Sequence, residues 1–135
     1  SNLQSQVCLR GAVDFNNVLL PELISNCDLF VILHRQSDPS CTYMETLSCG
    51  VPIVGYANQA FQGLLDQAEV GWGQTLDDVE AVAGKIAHLD QHRDEIVEKA
   101  RSGLAFARRH DFENTMRLRI AHLRRILQAA PTQNL

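Results

Sequence analysis

The sequence has no apolar run approaching the ~18 residues that a membrane-crossing helix needs, and its amino terminus is polar, without the pattern of a signal peptide. A cytoplasmic chain, at most touching the inner face of a membrane, is therefore expected. Cysteine is sparse. Cys8, Cys27, Cys41 and Cys49 form no C-x-x-C pair and no zinc spacing with the histidines. That argues against a disulfide scaffold or a cysteine-built metal centre, and reduced thiols are the expectation. Cys27, beside apolar residues, reads as a small core hydrophobe. No G-x-G-x-x-G follows a strand, which sets aside the dinucleotide-binding dehydrogenases. Internal repeats and low-complexity segments are missing too. Nor is there an excess of positive charge: the formal net charge is −4, so nucleic acid is not an expected partner.

What is present suits one folded domain. A chain of 135 residues with 45% hydrophobic and 21% charged residues can bury a single core. The expected domain spans 1–128, with a short proline-containing tail over 129–135 that frays. Acidic residues dominate as far as Glu98, and arginines dominate after it. A basic carboxy-terminal helix reads as a solvated face, or as a surface for an acidic partner domain or an anionic membrane.

Strand and helix patterns alternate along the chain. Gln6 to Val13 reads as a short strand, and Val18 to Asn26 as a helix with Pro21 near its start. Leu29 to Leu33 is a continuous apolar run, suited to a strand buried on both faces of a parallel sheet. A polar loop from His34 to Cys41 leads into a helix over Thr42 to Cys49, which Gly50 and Pro52 close. Pro52 to Tyr56 is a second buried strand, Ala60 to Gln67 a helix and Val70 to Gln74 a weak strand. A helix opens at Thr75 with Asp77 and Asp78 in its first turn, and two more cover about 93–110 and 111–127. The last carries Phe112, Met116, Ile120, Leu123 and Leu127 on one stripe. The fold class is α/β, Rossmann-like, with three αβα layers on a short parallel sheet of about four strands. So few strands suggest that others precede this segment, and an open sheet edge could pair with a second copy.

The stretch from His34 to Ile53 carries the chemistry. It follows the carboxyl end of a buried strand and runs into a helix amino terminus, where open α/β sheets bind ligands. Free backbone N–H groups and the helix dipole favour phosphate there. The backbone at Ser40, Cys41 and Thr42 could cradle a diphosphate, with the Ser40 and Thr42 hydroxyls donating as well. Glu45, one turn into the helix, could accept hydrogen bonds from a ribose diol. His34 and Arg35 face the same cleft and are candidate donor contacts, and Asn58 and Gln59 border it. Each has a plainer reading. Thr42-x-x-Glu45 is also a capping box, Asp38 can stabilise an Asp-Pro turn, and His34 and Arg35 can be ordinary surface residues.

Met44-Glu45-Thr46-Leu47-Ser48-Cys49-Gly50-Val51-Pro52-Ile53-Val54 resembles the E-x7-E region of family 4 GT-B glycosyltransferases. In that family a second glutamate precedes an Ala/Ser-Cys-Gly-x-Pro-Val/Ile segment, and Glu45 and Ser48 to Ile53 match it position by position. Cys27-Asp28-Leu29-Phe30-Val31 resembles the family's Ala-Asp-Val-Phe-Val strand entry. The resemblance implies part of a carboxy-terminal donor-binding domain of a retaining hexosyl-type transferase, with UDP or GDP on the donor sugar and polysaccharide synthesis as the setting. It implies that Glu45 binds the ribose, that a first acidic residue contacts the sugar, and that no metal is used. Ser37 occupies the position of the first glutamate, and Asp38, the nearest acid, is the catalytic candidate in its place. The family's diphosphate-neutralising basic pair and its acceptor-binding domain would lie before this segment, so the segment alone is expected to be inactive. Rival readings are a non-catalytic nucleotide- or sugar-phosphate-binding module, and another GT-B-like enzyme such as an epimerase or phosphorylase.

Overall fold

The apolar run at Leu29 to Leu33 supplies the first strand of the sheet, and the other two follow the same strand-helix rhythm. The computed structural model describes residues 5–37 and 41–129. Within them β1 (Phe30–Ile32), β2 (Ile53–Tyr56) and β3 (Gly71–Gln74) form one parallel sheet in the order β1-β2-β3. Phe30 pairs with Ile53, which pairs with Gly71. Six α-helices accompany the sheet: α1 (Leu20–Asn26), α2 (Cys41–Ser48), α3 (Gln59–Leu65), α4 (Val79–Gln91), α5 (Arg93–Arg109) and α6 (Phe112–Ala129). A π-helical turn over Phe15–Leu19 runs directly into α1. The architecture is α/β and Rossmann-like.

The central strand decides the register. All four residues of β2 are buried, as a strand flanked by parallel neighbours requires. Gly55 stands so close to the carbonyl oxygen of Ile32 that a β-carbon could not fit between β2 and β1. The core gathers Ile32, Tyr43, Leu47, Ile53, Phe61, Leu64, Val70, Phe106 and Ala107. It therefore joins the sheet to α2, α3 and α5. Leu47 on α2 is fully buried against Gly103 of α5, where a β-carbon would come within 2.9 Å of Leu47 Cδ2. Burying a side chain of this size contributes ~1.5–3 kcal/mol. Gly50 ends α2 in the left-handed region at φ 77°, the glycine cap its sequence announces.

Several expectations are corrected. Gln6 to Val13 makes no strand, and the described sheet has three strands. Val7 and Leu9 are exposed: apolar alternation marks residues that could join a sheet and does not by itself place them in one. β1 is not buried on both faces: Val31 and Leu33 are 44% and 51% exposed on this edge of the sheet. Cys27 is exposed rather than in the core. The helix expected at Thr75 begins at Val79, with Asp78 as its cap and Asp77 outside it at φ 66°. The apolar stripe of α6 is present but mostly uncovered by the described residues: Met116 is half-buried, while Phe112, Leu123 and Leu127 are all more than half exposed. Of the expected tail, Ala129 closes α6 and residues 130–135 lie outside the described residues. No described helix is long and apolar enough to cross a membrane.

Candidate functional site

Three loops leave the carboxyl ends of the three parallel strands and form one rim. The loop after β1 carries Leu33, His34, Arg35 and Gln36, which line an open cleft of about 420 Å³. All four are exposed to solvent. Further along the same loop, Asp38 and Ser40 lie outside the described residues.

The loop after β2 is tied to its neighbours on both sides. The Ala57 amide donates to the Gln74 carbonyl at 2.8 Å, joining it to the end of β3. Asn58 is 2% exposed. Its Oδ1 accepts from the Phe61 amide at 3.0 Å, capping α3, and its Nδ2 donates to the His34 carbonyl at 3.0 Å. One buried amide thus fixes the start of α3 and the backbone beside the cleft. A buried polar side chain persists only when it is satisfied in this way.

The loop after β3 supplies a counter-charge. Arg35 Nε lies 2.6 Å from Asp77 Oδ1, with the two side chains 75% and 55% exposed. The pair bridges the first and third loops of the rim. Asp77 takes its left-handed backbone without a glycine, which aspartate tolerates better than most residues. Sequence reading put Asp77 in a helix and missed this contact. The available signal was the Asp77-Asp78 doublet, in which only one member can cap the helix.

Beyond the first loop, α2 begins at Cys41, which is exposed, and Thr42 stands inside its first turn. The Thr42 carbonyl accepts from Thr46 Oγ1 at 2.6 Å. Glu45 follows one turn later and is half-buried. No hydrogen bond or ion pair engages its carboxylate with another described residue. Cys49, at the far end of α2, has its thiol pushed up by burial, with the charges of Glu45 and Cys27 adding to the effect against a Ser48 hydrogen bond. It is held as a neutral thiol and is poorly suited to act as a nucleophile.

The rim thus brings together His34 and Arg35 from one loop, Asn58 from the second and Asp77 from the third. Such an arrangement can hold an anionic ligand by backbone N–H groups and a cation, and orient a hydroxyl-bearing group by a carboxylate. A family model described as glycosyl transferase-like matches residues 9–123, a span that takes in every element of the rim. No curated protein matches the chain.

Proposed function

The chain belongs to the glycosyl transferase-like family, and from that premise we propose that it forms the donor-binding part of a retaining transferase that moves a hexosyl unit from a nucleotide sugar to an acceptor. The observation that carries this reading is the open cleft that His34 and Arg35 line at the carboxyl end of β1, within the span that the family model matches. The nucleoside diphosphate lies with its phosphates at the amino end of α2, against the backbone of Ser40, Cys41 and Thr42. Glu45 accepts from the ribose diol. His34 and Arg35 are assigned to the sugar and the diphosphate, and the resemblance assigns the acidic role at the reacting carbon to Asp38. Family resemblance supports these roles, together with the placement of the described residues.

In the reaction the bond from the anomeric carbon to the diphosphate oxygen breaks, and the leaving nucleoside diphosphate keeps the electron pair. An acceptor hydroxyl gives up its proton and bonds to the same face of that carbon. Fixed N–H dipoles at the α2 terminus stabilise the charge that grows on the leaving group. Asp77 pairs with Arg35 and so competes with the diphosphate for the arginine's charge. The exposed apolar stripe of α6, flanked by Arg117 and Arg124, docks in this reading on the acceptor-binding domain.

A two-dimensional NMR titration with UDP, GDP, ADP and their sugar conjugates tests the site. Shifts confined to Cys41 to Glu45 and to His34 and Arg35, weakened by Glu45→Ala and by Asp38→Ala, are expected. Absence of localised shifts at millimolar ligand, or shifts that Glu45→Ala leaves unchanged, would sink the assignment.

A further inference from the structure

Away from the cleft, the turn between α4 and α5 gathers three side chains able to ligate metal. His88 stands in the last turn of α4, His92 is the single residue between the two helices, and Glu95 lies in the first turn of α5. Helical spacing of four residues puts the two histidines on one face, and their rings stack with centroids 4.0 Å apart. The helix break at His92, with φ −129° and ψ 62°, then sets Glu95 Oε1 2.6 Å from His88 Nε2. One ring nitrogen of each histidine and one carboxylate oxygen lie within 4.8 Å of one another.

We propose that His88, His92 and Glu95 form a binding site for a zinc ion, joining the end of α4 to the start of α5. The site is separate from the donor cleft and does not rest on that reading. Two imidazoles and a carboxylate are a donor set for zinc and its neighbours, whereas calcium and magnesium call for oxygen alone. His92 is already held as metal-bound histidines are held. Its Nδ1 is 2.8 Å from the His88 carbonyl oxygen, which can only accept. The Nδ1 hydrogen therefore makes that bond, and the lone pair of the neutral ring is left on Nε2. Solvent reaches His88 and Glu95, whose side chains are 41% and 35% exposed, so water can complete the coordination shell. Zinc–ligand bonds of ~2.0–2.2 Å set ligand atoms farther apart than the present His88–Glu95 contact. The ion would thus replace that hydrogen bond and part the stacked rings.

Lys85 is the opposing group. Its Nζ lies 3.6 Å from Glu95 Oε2, the oxygen that does not face His88. It also lies 5.6 Å from the centroid of the Trp72 ring, which gives the ammonium a second resting place when an ion occupies Oε1. A cation behind the carboxylate weakens its donation without blocking it. Removing Lys85 should therefore tighten zinc binding, an effect with no counterpart if the three residues form only an ion pair and a stack.

Competition with a colorimetric zinc chelator, on the full chain and on His88→Ala, His92→Ala, Glu95→Gln and Lys85→Met, decides the matter. The expected result is one bound equivalent, affinity lowered by at least ~tenfold in each ligand variant, and affinity raised in Lys85→Met. Zinc should also raise the unfolding midpoint of the wild type and not that of His88→Ala. With Co2+ as a spectroscopic stand-in, the bound ion should show d–d bands without thiolate charge transfer. No competition, uptake that survives in both histidine variants, or a thiolate spectrum from the free cysteines would each overturn the proposal. So would weaker zinc binding in Lys85→Met.

Discussion

The side-chain amide of Asn58 donates to the backbone carbonyl of His34 at 3.0 Å, and through this one bond the loop after β2 sets the position of the loop after β1. The same side chain caps α3 through Phe61. Asn58→Ala removes both bonds and leaves the buried Phe61 N–H and the part-buried His34 carbonyl without these partners. A loss of ~2–4 kcal/mol in stability is expected, the sum of a lost cap and a lost buried hydrogen bond, read as a lower urea midpoint at unchanged slope. Asn58→Asp keeps the cap acceptor but not the donor. It should spare the start of α3 and still shift the His34 amide resonance. If the His34 resonance stays fixed in both variants, the coupling between the loops is carried elsewhere.

Tyr43 is 5% exposed, and its hydroxyl has no hydrogen-bond partner among the described residues. The ring packs at a tilt against Phe61, with centroids 6.0 Å apart, so the aromatic body contributes to the core while the oxygen is desolvated without return. Tyr43→Phe deletes only that oxygen. Stability should rise by ~1 kcal/mol, the lower end of the penalty for an unsatisfied buried polar group. A thermal midpoint that falls instead would mean that the hydroxyl is bonded in solution.

The features that were legible in the sequence are local ones. Gly50 and Pro52 punctuate the chain between α2 and β2 by their own backbone preferences, and the structure breaks there. Ile53 to Tyr56 are apolar throughout, because a central parallel strand has no solvent face. Val7 to Val13 misled because alternation identifies residues that could join a sheet and not whether they do; both outer strands of the described sheet keep an open edge, and these residues pair with neither. Cys27 misled because neighbours in sequence are not neighbours in the core. In the candidate site, the loop after β1 and the helix carrying Glu45 were readable as a strand-loop-helix ligand position. The contacts that shape the rim, Asn58 with His34 and Arg35 with Asp77, join residues far apart in the chain. They exist only once the sheet has aligned its strand ends.

Lys99 Nζ lies 2.9 Å from Glu69 Oε2 and ties α5 to the segment before β3. The hydrogen bond from Lys99, and then its charge, hold the Glu69 carboxyl below the usual glutamate range. A carboxyl depressed on folding adds stability that is complete above its unfolded pKa and is lost as pH falls through its folded value. The side chain of Glu69 is mostly exposed, so solvent screening keeps the effect small. An NMR carboxyl titration should find Glu69 among the low glutamates in the wild type and return it to the ordinary range in Lys99→Met. The stability curves of the two proteins should converge at acid pH. Equal Glu69 titration in both would show that the pair does not persist in solution.

The Arg35–Asp77 pair sets two demands on the rim against each other. As a structural link it is weak, since an exposed ion pair contributes ~0–1 kcal/mol, and both side chains here are more than half exposed. As an electrostatic feature it matters more, because Asp77 places a negative charge beside the arginine that would face a diphosphate. Asp77→Asn keeps a residue type that accepts the left-handed backbone at φ 66° and removes only the charge. Stability should stay within ~1 kcal/mol of wild type. Nucleoside diphosphate affinity should rise by up to about tenfold, equivalent to ~1.4 kcal/mol. Arg35→Ala should lower it, and Arg35→Ala combined with Asp77→Asn should show no gain over Arg35→Ala, because the benefit of removing Asp77 passes through Arg35. If Asp77→Asn instead weakens binding as Arg35→Ala does, the pair is a clamp that orders the rim. Donor binding would then depend on the fixed position of the loop, with the free charge of the arginine unimportant.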